Sequence, residues 1–293
     1  MPEFRRLVDS RCELGEGPLW DDRTGLFRWL DIEGRALHEA APDGSRYLTR
    51  PMPDRPCSMG LCESGRLVIA LPKRVVLFDL ETGTIEPLAD LEPDLPTTRL
   101  NDGKVGPDGA FWVGSMDERP ERAPIGSLYR IGADGRVDRM IAGLRVSNGL
   151  AWSADGRTLY LADSRGPWID RIAFDPATGS LGERVRMATL DDATGRPDGG
   201  ATDLDGNYWS AGVTAGRLNR FDRDGRLAES FDLPVAAPTM PCFGGPERDL
   251  ILVTSLSASV APDRLAGKPW TGSPILFSPG ARGVPVGRFA DRN

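Results

Sequence analysis

One histidine, His38, and four cysteines serve a chain of 293 residues, and these shortages remove several chemistries together. Cys12, Cys57, Cys62 and Cys242 are unevenly spaced with no paired C-x-x-C, so a zinc module is not expected and they read as small buried side chains kept reduced. His38 falls on a strand-like stretch, Ala36 to Ala40, away from every motif described below. That placement leaves a covalent serine or cysteine route without its base. Positive charge is also short: Lys+Arg 36 against Asp+Glu 43 gives a net charge of −7. A nucleic-acid partner therefore has little electrostatic support. No run of about 18 apolar residues occurs, which excludes a membrane-spanning helix, and no basic amphipathic stretch points to a membrane surface. The opening Met1-Pro2-Glu3-Phe4-Arg5-Arg6 lacks the apolar core of a signal peptide. A cytoplasmic protein is expected, with a monomer as the default.

What the chain does have is glycine and proline, Gly 35 and Pro 25, gathered in turn dipeptides such as Asp43-Gly44, Asp134-Gly135, Asp155-Gly156 and Asp224-Gly225. These are hairpin signals between short apolar runs. A junction recurs among them: an amide or carboxylate, then glycine, just before an apolar run with an aromatic. Taking Glu16, Met59, Asn101, Asn148, Asp198 and Cys242 as markers, subtraction of residue numbers gives spacings of 43, 42, 47, 50 and 44. A period of about 40–50 residues with strand signals is the mark of a propeller, whose blades hold about four strands each around a channel. The expected fold is all-β, a six-bladed β-propeller forming one domain over residues 1–293. Phe4 to Val8 and Val286 to Phe289 are expected to meet in one blade and close the ring, removing exposed edges. Trp20, Trp112, Trp152 and Trp209 sit at similar phases and are expected to pack between blades. Equivalent positions of all blades face one channel, so oxygen-bearing residues remote in sequence converge there. Asp102 and Lys104 read as structural strand-end residues.

At these junctions the chain resembles the SMP-30/gluconolactonase/luciferin-regenerating-enzyme family. The matching stretches are Gly15-Glu16-Gly17-Pro18-Leu19-Trp20, Arg99-Leu100-Asn101-Asp102-Gly103-Lys104, Ser147-Asn148-Gly149-Leu150-Ala151-Trp152, Pro197-Asp198-Gly199 and Cys242-Phe243-Gly244-Gly245. They run in order over all six expected blades. The resemblance implies a central divalent cation and hydrolysis of sugar lactones to aldonic acids. It places Glu16, Asn148 and Asp198 as metal ligands, and Arg99 and Asn101 against substrate. It also implies an acid after the second strand of blade three, which leaves open whether Asp117 or Glu118 faces substrate. If that position falls on Arg119 instead, the pocket is more basic and an anionic substituent on the sugar is favoured.

The chemistry suits such residues. Two carboxylates and an amide oxygen form a hard set, fitting Ca²⁺, Mn²⁺, Mg²⁺ or Fe²⁺ more readily than Zn²⁺. The cation is expected to act as Lewis acid, with Asp198 as general base and Arg99 and Asn101 orienting the sugar. Two other functions compete. An aryl esterase or organophosphatase resembling the paraoxonases would want a more apolar pocket and a histidine near the metal. A non-enzymatic, metal-binding propeller would have no use for an arginine and amides around an open cation, and the Gly-His and Trp-Asp repeats of a WD40 platform are absent.

Overall fold

In the computed structural model, which describes residues 2–291, six four-stranded antiparallel sheets surround a channel. Their inner strands are Gly15–Asp21, Ser58–Leu61, Thr98–Val105, Ser147–Trp152, Pro197–Thr202 and Pro238–Gly244. Each touches the inner strands of the neighbouring blades, and the first touches the last. The inner strands are largely buried along their length, whereas outer strands such as Leu227–Asp232 are mostly exposed. Apolar runs therefore fall inside and alternating or charged runs outside, as burial on one or two faces requires.

Aromatic side chains fill the gaps between blades. Trp112, Trp152 and Phe174 meet edge to face, with ring centroids 5.5–6.1 Å apart. Trp209 packs on Phe231 and Phe243. Burying one such side chain contributes roughly 1.5–3 kcal/mol, and each pair adds about 0.5–1.5 kcal/mol. Trp29 and Trp112 are fully buried, while Trp20 is half-exposed against Phe27. The expected packing role holds across these tryptophans.

The sixth sheet is completed from the chain start: Arg5 pairs with Leu276 and Arg6 with Ile275. Val286–Phe289 does not belong to that blade, contrary to expectation. The sheet's third strand is Ile275–Phe277, and the following chain, interrupted by Gly280, Gly283, Pro285 and Gly287, crosses the channel end. Gly283 bridges to Asp203 and Phe289 runs parallel to Cys62. The Phe289 amide donates to Leu61 O at 2.8 Å and the Ala290 amide to Gly109 O at 3.0 Å. The tail thus ties blades five, two and three together.

Antiparallel order gives the ring two different rims. One gathers the starts of the inner strands, the loops between second and third strands, and the blade connectors. The other gathers the first hairpin of every blade and the crossing tail. On the first rim the inner strand slips register against its partner in five blades, at Glu16/Leu19, Leu100/Gly103, Asn148/Ala151, Pro197/Gly200 and Pro238/Pro241. Blade two pairs straight through from Ser58 to Leu61.

Candidate metal centre and channel mouth

The register slips build the site. A bulge removes residues from the ladder, bends the strand and re-aims side chains. In blades one and four the bulge contains a glycine in the left-handed region, Gly17 at φ 52° and Gly149 at φ 70°. Only glycine adopts that conformation without cost. Gly149 is also crowded, since a Cβ there would lie 2.4 Å from Tyr208 Oη. The inner strand of blade two, which has no such slip, carries the marker Met59, a residue without a ligand oxygen. In blade six the slip falls at Pro238/Pro241, so Cys242 sits deeper in the channel wall than the junctions of the other blades.

A chain of amide hydrogen bonds crosses three blades. Arg99 Nη1 donates to Asn101 Oδ1 at 2.7 Å, and Asn101 Nδ2 donates to Asn148 Oδ1 and Ser147 O, both at 2.9 Å. Asn148 Nδ2 donates to Ser164 Oγ at 2.7 Å, and that hydroxyl donates to Pro197 O at 2.6 Å. This network assigns the orientation of both amides. Asn148 is 3% exposed, and its Oδ1 keeps one lone pair for another partner.

The carboxylates beside it are short of donors. Among the described residues Glu16 accepts only from the Gly17 amide, at 3.0 Å. No donor reaches the Asp198 carboxylate among the described residues. Burial, then repulsion from Asp198 and Asp102, holds Glu16 well above the usual carboxylate range. Burial and repulsion from Asp102 push Asp198 up to about 8, against the pull of Arg99 and Arg196. Below them Asp102 Oδ2 accepts from the Leu150 amide at 2.9 Å, while its buried Oδ1 has no hydrogen-bond partner among the described residues. Lys104 Nζ donates to Gly200 O at 2.7 Å. Burial lowers the Lys104 ammonium, and the charges of Asp102 and Glu16 work against that. Asp102 and Lys104 thus join blades as expected, and they also set the charge beneath the site. Convergent carboxylates with one orphaned oxygen and few donors need positive charge. Together with Asn148 Oδ1 they fit a divalent cation bound by oxygen.

The two acids after Met116 separate. Asp117 is 0% exposed, accepting from Arg119 Nε at 2.9 Å and from the Ala123 amide at 2.8 Å. Arg119, with that backbone support, holds it down to about 2. Its carboxylate is therefore occupied in ordering its own loop. Glu118 is gripped by Arg55, with Nη1–Oε1 2.8 Å and Nη2–Oε2 3.1 Å, and lies 3.6 Å from Arg99 Nε. Burial works to raise its carboxyl, but Arg55, Arg99 and Arg122 bring it below the usual range. Glu118, not Asp117, is the acid beside Arg99. Arg119 is paired with Asp117 and Glu121 and is not a pocket residue.

Two other features lie apart from this centre. Cys12 Sγ, an Asp31 oxygen and a His38 nitrogen fall within 4.8 Å of one another. However, Asp31 accepts from the amides of Glu13, Leu14 and Gly34, each at 3.0 Å, and His38 stacks on Trp29 and Tyr47. This group holds residues 12–14 against blade one, and His38 is part of its buried packing. A cavity of about 400 Å³ opens at the other rim, lined by Lys104, Trp152, Met240, Cys242 and Val286, and none of Glu16, Asn101, Asn148 or Asp198 lines it. Among the described residues no helix is long and apolar enough to cross a membrane.

A closed ring of six blades with a bulge-built cluster of oxygen-bearing side chains at one mouth is a six-bladed β-propeller. Residues 14–257 match the SMP-30/Gluconolactonase/LRE-like region, and the chain belongs to that family. It is 34% identical to the L-arabinolactonase of Azospirillum brasilense over 288 residues, 97% of this chain and 94% of that protein. It is also 34% identical to the 6-deoxy-6-sulfogluconolactonase of Pseudomonas putida, over 91% of each chain. Among solved structures, the calcium-binding protein regucalcin of Agrobacterium tumefaciens strain C58 superposes with a TM-score of 0.91 at 28% identity, covering 100% of this chain and 98% of that one.

Proposed function

We propose that the protein hydrolyses the ester bond of a sugar lactone, releasing the free aldonic acid. The observation that carries this reading is that Glu16 and Asp198 share a rim with the hydrogen-bonded row of Arg99, Asn101 and Asn148, and that no donor reaches the Asp198 carboxylate among the described residues. Relatives named as lactonases, similar over nearly the whole chain, support it.

Glu16, Asn148 and Asp198 would hold the divalent cation, with calcium favoured by the regucalcin likeness. When bound, that ion supplies Lewis-acid polarisation of the lactone carbonyl. Arg99 and Asn101, locked to each other, meet the sugar hydroxyls and ring oxygen without paying ordering entropy at the moment of binding. Glu118 stands beside Arg99 to accept from a further hydroxyl. Asp198 takes a proton from the attacking water through a carboxylate oxygen. The water oxygen bonds to the carbonyl carbon, the bond from that carbon to the ring oxygen breaks, and the proton passes to the departing oxygen. Asp117 orders the 117–124 loop that presents Glu118.

The test is acid release from a panel of aldonolactones, with spontaneous opening subtracted. Release above background for at least one lactone is expected; none with any lactone would overturn the reading.

A further inference from the structure

Glu118 keeps its place beside Arg99 through a residue of another blade. Its amide donates to Thr97 O at 2.8 Å, which anchors the backbone just past the end of Phe111–Asp117. The side chain is 36% exposed, and a long side chain at a rim is not fixed by its backbone alone. Arg55 fixes it: Nη1 donates to Oε1 at 2.8 Å and Nη2 to Oε2 at 3.1 Å. A two-point fork of this kind sets the plane of a carboxylate as well as its position. Arg99 Nε lies 3.6 Å from the same Oε1, while Arg99 Nη1 is spent on Leu100 O at 2.8 Å and Asn101 Oδ1 at 2.7 Å. Glu118 is thus held between two arginines, one of them locked to the row of amides.

The backbone around Arg55 is restricted in turn. Arg55 lies in the connector between Leu48–Pro51 and Ser58–Leu61, on the rim that carries Glu16, Asn148 and Asp198. The stretch reads Pro53-Asp54-Arg55-Pro56. Proline fixes its own φ and biases the residue before it toward extended backbone, so few alternatives are open. The Arg55 amide donates to Asp54 Oδ1 at 2.8 Å, and its carbonyl accepts from Cys57 Sγ at 3.6 Å. The Cys57 amide donates to Ala70 O at 2.7 Å, tying the connector to blade two. Arg55 also meets Glu33, in the turn between Leu26–Asp31 and Ala36–Ala40 of blade one. That contact is a single one at 3.5 Å to a side chain 40% exposed, where solvent screens it. The Glu118 contact is the shorter and the bidentate one. The connector from blade one to blade two therefore carries an arginine onto an acid of blade three.

We propose that Arg55 is a positioning residue for substrate: it holds Glu118 so that a sugar hydroxyl lodges between Glu118 and Arg99, donating to the carboxylate and accepting from the guanidinium. This rests on the lactonase reading above. Arg55 makes no contact with the reacting ester in this arrangement, so its removal weakens lactone binding and leaves the chemical step nearly as it was.

The experiment measures kcat and KM on the best-hydrolysed aldonolactone, with urea midpoints alongside. The proteins are wild type, Arg55→Ala, Arg55→Lys, Glu118→Ala, Glu33→Gln and Arg55→Ala combined with Glu118→Ala. Arg55→Ala is expected to raise KM about 10-fold and to change kcat by less than about threefold. Arg55→Lys, which keeps the charge without the fork, recovers part of that loss. Glu33→Gln stays within about twofold of the wild-type KM. In the double variant the two losses do not multiply, because Arg55 acts through Glu118. An unchanged KM in Arg55→Ala, whatever its urea midpoint, overturns the positioning role and leaves the lactonase reading standing. So do losses that multiply in the double variant, or a Glu33→Gln loss as large as that of Arg55→Ala. No hydrolysis of any lactone by wild type removes the lactonase reading and the positioning role with it.

Discussion

Asn101 Nδ2 donates to Asn148 Oδ1 at 2.9 Å across the boundary between blades three and four, so the amide assigned to substrate also aims the amide assigned to metal. Asn101→Leu is therefore expected to act twice. It removes a buried hydrogen-bonding group, costing about 1–3 kcal/mol of stability, and it frees the Asn148 amide to turn. Cation affinity measured by titration calorimetry should fall along with kcat/KM. Unchanged cation affinity would separate the two amides.

Gly149 and Gly17 share a left-handed backbone but not a crowded one. A Cβ on Gly149 meets Tyr208 Oη at 2.4 Å, whereas on Gly17 the nearest atom is Leu30 Cδ1 at 3.3 Å. Both alanine variants pay the conformational cost of about 1–3 kcal/mol, and Gly149→Ala must also shift the aromatic. Urea midpoints should rank wild type above Gly17→Ala above Gly149→Ala. Equal midpoints would show that the bulge relaxes freely.

Lys104 feels the charges of Asp102 and Glu16 and reaches blade five through Gly200 O. Lys104→Met removes the positive charge that acts on Asp102 and leaves Gly200 O without its donor, which costs about 1–3 kcal/mol for a buried unsatisfied group. Lys104→Met with Asp102→Asn should recover a large part of that loss in denaturant titrations. A double variant no better than the single one would show that packing, not charge, was lost.

Asp117 is depressed by Arg119 and backbone amides, to about 2. Its unfolded value is about 3.9, so its contribution is fully present above that and is lost as pH falls through about 2. Hydrogen exchange of residues 118–123 should stay slow down to about pH 4 and then lose protection toward pH 2, relative to intrinsic rates. Asp117→Asn should exchange fast in that loop already at neutral pH. An equally protected loop in the variant would show that other contacts order it.

The period of the junctions made the ring legible, because each blade spends a similar length on the same four strands. What periodicity could not place is the bulge. A bulge shifts the phase by a residue, so Glu16 and Asn148 pair just before their slips while Asn101 and Asp198 lie within theirs. Cys242 resembled a junction because of its glycines, yet the slip comes earlier, at Pro238/Pro241. Asp117 and Glu118 could not be told apart because the strand ends between them, where alternation of faces stops. The tail from Val286 to Phe289 had strand-like residues, but the sixth sheet was already filled by Arg5–Arg6. Arg55 carried no motif, since it lies in a connector whose approach to Glu118 only the ring reveals.

The central claim is that the Glu16, Asn148 and Asp198 cluster works as a metal-dependent lactone hydrolase, and the direct measurement is aldonolactone hydrolysis by chelator-stripped protein before and after Ca²⁺, Mg²⁺, Mn²⁺, Fe²⁺ or Zn²⁺ is restored, with Asp198→Asn alongside. Stripping is expected to abolish turnover, at least one cation to restore it, and Asp198→Asn to stay at least about 100-fold slower with every cation. Full activity in the stripped protein, or wild-type rates in Asp198→Asn, would contradict it.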